Sequence, residues 1–108
     1  MRATEFIKKY GIGRAVGILH EWNMFTQTKK PTHFDTGLDI FIHEDDFKFL
    51  DESDVSIIEL GELIESWYLV FEHGSVEKAK NYASSKYTAP ENAERLKKAI
   101  NLVEQCNA

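Results

Sequence analysis

Apolar side chains along this chain change their period twice. Phe6, Ile7 and Tyr10, then Ala15, Val16, Ile18 and Leu19, recur at helical spacing. They predict a short helix that Thr4 N-caps and Gly11 ends in a left-handed backbone, which glycine adopts at little cost. A second helix starts near Gly13 and stops by Trp22 or Asn23, although Gly17 in its interior costs about 1 kcal/mol relative to alanine. Residues 24–31 are mostly polar and end at Pro31, so they form a connection. Residues 32–34 and 38–43 then turn β-branched and aromatic around Asp35-Thr36-Gly37, which predicts a hairpin, with a third short strand at residues 47–50.

The helical period returns in the second half. Ser56 and Glu59 have the spacing of a capping box and open a long helix bearing Ile57, Leu60, Ile64, Trp67 or Tyr68, and Phe71, with Gly74 closing it. The stripe places Trp67, Tyr68 and Phe71 in the core. Ser75 caps a further helix with Val76, Ala79, Tyr82 and Ala83 on its apolar side. Thr88 and Glu91 form a second capping box around Pro90, and Ala93, Leu96, Ile100 and Val103 give the last helix one buried face. The expected fold is therefore α+β, with about four helices and a small antiparallel hairpin or three-stranded sheet inserted after the second, in one domain over residues 1–108. A helix-Gly-helix corner occurs near Gly11 and again near Gly74; two such corners fall short of a repeat array.

Composition adds little to this and charge adds more. With 43% apolar and 29% charged residues in 108, the chain has the make-up of a folding domain. Its first residues lack the apolar core of a secretory signal and no apolar run reaches a membrane span, so a cytoplasmic protein without membrane contact is expected. The lone Cys106 has no partner for a disulfide or a CxxC site. The net charge of −5 is unevenly spread: residues 1–31 carry +4, residues 32–66 carry −10 and the remainder +1.

Leu63-Ile64-Glu65-Ser66-Trp67-Tyr68-Leu69-Val70, His73-Gly74, Glu77-Lys78-Ala79-Lys80, Arg95-Leu96-Lys97-Lys98-Ala99-Ile100 and Val103-Glu104 resemble small accessory proteins of enterobacterial temperate phages and prophages. The opening Phe6-Ile7-Lys8-Lys9-Tyr10-Gly11 with Ala15 is similar to the start of the same proteins. The resemblance covers about two-thirds of the chain and implies early phage genes that adjust or disarm host machinery. It transfers no catalytic residue, and residues 23–54 lie outside it.

Motifs for catalysis are incomplete. Gly11-Ile12-Gly13-Arg14-Ala15-Val16-Gly17 departs from the dinucleotide fingerprint by one position and follows a helix instead of a strand, so Gly13 and Gly17 are taken as a corner and a small-residue contact. His20, His33, His43 and His73 show no zinc spacing, and the acids around residue 45 lack the alternation and central glycine of a calcium loop. Cys106 lies too near the C-terminus to be held as a nucleophile and is expected to pack in the last turn. These readings predict a non-enzymatic protein with no metal or cofactor.

What remains is binding. The acidic segment 35–54 interleaves carboxylates with Phe34, Phe41, Phe47 and Phe49, and aromatic anchors among charges suit a protein interface. Asp45, Asp46, Phe47, Phe49, Asp51 and Glu52 are the partner-binding candidates, with a host protein as partner and mimicry of DNA phosphates as one mode. The plain alternative is that the phenylalanines face the core and the acids form a solvated face. A rival function is nucleic-acid binding through Lys8, Lys9, Arg14, Trp22, Lys29 and Lys30, with Tyr10 and Phe25 available to stack, although the net negative charge opposes it.

Overall fold

In the computed structural model, which describes residues 1–46 and 50–107, Phe6 and Ile7 are buried from helix α1 (Ala3–Tyr10). The helix starts one residue before Thr4, and Arg2 at its N-cap supplies no side-chain bond. Glu59 does that work, its Oε1 accepting the Ala3 N–H at 2.8 Å from 56 residues away. A carboxylate at a helix N-terminus satisfies an orphan donor and meets the positive end of the helix dipole. The second capping residue expected near Ser56 is thereby diverted: the Ser56 hydroxyl accepts the Glu59 N–H at 3.2 Å, while the Glu59 side chain serves α1.

Gly11 has φ of +90°, a backbone that side chains other than glycine's rarely adopt, and it separates α1 from α2 (Ile12–Asn23). That break falls where the sequence placed it, and the described residues hold five α-helices where about four were expected. Among the described residues, an added methyl group at Gly13 or Gly17 would meet nothing within 4 Å, so the small-residue contact assigned to them is not found there. Gly61 is different, with Leu19 Cδ1 at 3.6 Å from where its Cβ would stand.

Strands β1 (His33–Asp35), β2 (Ile40–Ile42) and β3 (Asp54–Ser56) follow, each three residues long. They form one antiparallel sheet in the order β2-β1-β3. Phe34 pairs with Phe41 on one side and with Val55 on the other. The hairpin loop runs over residues 36–39, one step beyond the Asp35-Thr36-Gly37 expected to turn, and Asp39 in it has positive φ (58°), a region aspartate tolerates better than most residues. Gly37 sits close to its neighbours: its N–H donates to Asp35 Oδ1 at 2.8 Å, and a Cβ there would stand 3.3 Å from that same oxygen. The third strand expected at residues 47–50 is not where the sheet gains its third member. Leu50 is outside any strand and β3 begins at Asp54; residues 47–49 lie outside the described residues.

β3 runs straight into helix α3 (Ile57–Phe71). The chain divides inside this helix into two units, Met1–Glu62 and Leu63–Ala108. In the first, Phe6, Ile18, Val55 and Leu60 are fully buried, and Phe25, Phe41 and Phe34 meet edge to face in series with ring centroids 5.2 and 5.1 Å apart.

The second unit holds the rest of α3 together with α4 (Val76–Ser84) and α5 (Pro90–Asn107). Val70, Ala79, Ala83, Leu96, Ala99, Ile100 and Val103 form its core, with Trp67, Leu69 and Val76 packed against it. Alanines on α4 let that helix approach α5 closely, and Lys80 pairs with Glu104 across them at 2.8 Å. Ser75 caps α4 by accepting the Lys78 N–H. Two expectations are corrected here. Tyr68 and Phe71 are exposed rather than core, because the broad apolar stripe of α3 exceeds what this unit covers. Thr88 does not cap α5: its hydroxyl donates to the Tyr82 carbonyl at 2.6 Å, closing the end of α4 instead.

Candidate acidic interaction surface

The acids of the middle segment divide into those spent on shaping the backbone and those left facing water. Asp35 Oδ1 accepts the N–H groups of Gly37 and Leu38. Asp51 Oδ1 accepts the Ser53 N–H, and Asp54 Oδ2 accepts the Asp51 N–H, both at 2.8 Å. Such bonds from short acidic side chains fix tight turns. Asp54 is buried, and its Oδ1 has no protein partner among the described residues.

Glu44, Asp45 and Asp46 form a single 3-10 turn just after β2, and none of the three is buried. Its geometry comes from its neighbours. His43 Nδ1 accepts the Asp45 N–H at 3.0 Å, the His43 carbonyl accepts the Asp46 N–H, and Thr32 Oγ1 accepts the Glu44 N–H at 2.9 Å. The backbone amides are thus satisfied from within, and the three carboxylates project into solvent. Lys29 approaches two of them, at 3.9 Å from Asp45 and 3.4 Å from Asp46. Glu52 is also exposed and lines a concavity with Arg2, Glu5, Lys9 and Thr36.

Of the predicted partner-binding residues, Asp45, Asp46, Asp51 and Glu52 are therefore exposed, on two loops of one unit. Phe47 and Phe49 lie outside the described residues. Phe34 is buried and Phe41 half-buried, so these two phenylalanines face the core, as the plain alternative had it.

The basic residues of the rival set are scattered. Arg14 pairs with Asp39 while its guanidinium lies 5.3 Å from the Phe34 ring centroid. Lys30 sits 4.4 Å over Trp22, whose Nε1 donates to the Pro31 carbonyl at 2.8 Å. Trp22 and Phe25 are consequently half-buried parts of the fold, which corrects their assignment as free stacking groups. Lys8 and Lys9 remain exposed on α1. What the structure brings together is one member of the basic set with two of the acidic set, Lys29 with Asp45 and Asp46. Thr32 and His43, which build the acidic turn, carried no signal of their own in the sequence, because they act through backbone amides several residues away.

Among the described residues no group of three or more His, Cys, Asp or Glu side chains is placed to hold a metal ion, and no helix is long and apolar enough to cross a membrane. Cys106 is buried in the last turns of α5, where burial pushes its thiol pKa up. No family model matches the chain, and neither a curated protein nor a solved structure matches it.

Proposed function

We propose that the chain is a non-enzymatic protein-binding module that offers the carboxylates of its first unit to a basic surface on a partner protein. The observation that carries this reading is the 3-10 turn Glu44–Asp46, whose three acids are exposed while its backbone is satisfied internally. Lys29 at Asp45 and Asp46 supports it, since a carboxylate pair that receives an internal ammonium is suited to receive a partner's lysine or arginine. Within the proposal, the setting implied by the resemblance to phage accessory proteins makes the partner a host protein. Its modulation or inhibition would follow from occupation of a site that otherwise holds nucleic-acid phosphates.

Nucleic-acid binding by the chain itself has less support, because Arg14 and Lys29 are engaged by acids of the same unit. The test is a variant with Asp45, Asp46 and Asp51 changed to Asn and Glu52 to Gln, titrated at low and moderate salt against a partner isolated from host lysate. Weaker binding and a flatter salt dependence are expected, because exposed charges act through long-range attraction. Competition of duplex DNA with the native protein for that partner would support mimicry. Undiminished binding by the neutralised variant would remove the acidic surface from consideration.

A further inference from the structure

The two edges of the sheet are treated differently. Along β3, the Asp54 carbonyl accepts a hydrogen bond from the Met1 nitrogen at 2.6 Å, and α1 packs against the strand. At the other edge, β2 has no neighbouring strand among the described residues. The ladder shows what β2 exposes. Thr36 N–H bonds to the Ser53 carbonyl and Ile57 N–H to the Thr32 carbonyl, so Phe34, which lies between them and faces Val55, turns its peptide groups toward β3, while the Thr32 N–H, just before β1, crosses to the Ile42 carbonyl. His33 and Asp35 then bond toward β2, where they face Ile42 and Ile40. In this antiparallel alternation the N–H and C=O of Phe41 point away from the sheet.

A groove follows this edge, lined by Phe25, Lys29, Pro31, Ile40 and Phe41, with Asp39, which pairs with Arg14, and Asp46, which pairs with Lys29, in its walls, so a basic ligand would replace the chain's own cations there. Acids flank the strand in the chain as well, Asp39 immediately before it and Glu44, Asp45 and Asp46 just after. We infer that β2 is the docking edge for an extended basic segment of the partner, which adds to the sheet as a fourth strand. This rests on the acidic-surface reading and specifies its ligand. Main-chain bonds to Phe41 supply the register, the apolar wall takes alternate side chains, and the flanking carboxylates select lysine or arginine. A second copy of the chain is the poorer occupant: antiparallel pairing of two β2 edges would set Asp39 of one copy beside the acidic turn of the other, and like charges at an edge oppose pairing.

The probe is a seven-residue peptide of alternating lysine and valine, compared with its fully N-methylated form and with a glutamate–valine peptide. Affinity is read by calorimetry and the Phe41 amide by hydrogen exchange. The lysine peptide is expected to slow Phe41 exchange, and N-methylation to weaken binding about tenfold through loss of the main-chain bond. Equal binding of the lysine peptide and its N-methylated form would overturn the edge while leaving the acidic surface standing. A glutamate peptide that binds and protects Phe41 equally well would overturn both. Protection of Phe41 before any peptide is added would also overturn the inference, through a second copy if sedimentation shows a dimer and through the chain's own covering of the edge if it shows a monomer.

Discussion

In Leu63–Ala108 the core comes entirely from helices, whereas in Met1–Glu62 two helices, three short strands and the start of a third helix are tied by polar links between distant residues. The first unit carries twelve acidic and seven basic side chains and the second six of each. Helical packing of α4 on α5 uses apolar residues three and four apart, a pattern that each helix carries by itself. Strands of three residues cannot hold themselves, and the first unit depends on bonds such as Glu59 to Ala3 and Thr36 Oγ1 to the Ser53 carbonyl. Net charge and an open sheet edge both fall in the unit held by such long-range bonds, and that is where binding is proposed.

The largest effect that would test this contrast is in the helical unit. Leu96→Ala removes a buried side chain from its core and is expected to cost about 2–4 kcal/mol in denaturant unfolding, with faster amide exchange in α4 and α5. A cost below that range would mean that the cluster repacks freely, and helix packing would no longer distinguish the units. Next is Glu59→Ala, which leaves the first N–H of α1 without its carboxylate and should cost roughly 1–3 kcal/mol, with Glu59→Gln recovering part of it. Exchange at Ala3 is the local readout. If α1 amides are unaffected, the first unit does not depend on this link.

Gly17→Ala runs the other way. Nothing lies within 4 Å of the new methyl group, so the substitution should stabilise the chain by about 0.5–1 kcal/mol; destabilisation would reveal a close approach to Gly17 after all. Thr88→Ala removes the bond to the Tyr82 carbonyl and should cost about 0.5–1.5 kcal/mol. Frayed amides at the end of α4, with α5 unchanged, would separate this role from a cap on α5. The smallest change belongs to the neutralised variant of Asp45, Asp46, Asp51 and Glu52. Its melting temperature should be unchanged or slightly raised, since these groups are exposed and of one sign, and asparagine at position 51 keeps a side-chain oxygen to accept the Ser53 N–H. A marked loss of stability would show that these acids hold the fold.

The elements of the helical unit were legible because their determinants are local. Leu96, Ile100 and Val103 sit on one face of α5 through spacing alone, and Ser75 caps α4 within one turn of its own position. Local patterns misled where a side chain had a distant alternative. Glu59 matched a capping box with Ser56, yet its carboxylate accepts the N–H of buried Ala3 at 2.8 Å, 56 residues away. Thr88 matched a cap for α5 and found the Tyr82 carbonyl.

By itself the sequence determined an α+β chain of helices and short strands and the concentration of acids in residues 32–66, consequences of period and composition. Which carboxylates face solvent, that Lys29 meets Asp45 and Asp46, and that one sheet edge is covered while β2 stays open were decided only by the tertiary structure. Those features depend on bonds between residues up to 56 positions apart, and period carries no information about which distant donor a side chain will reach.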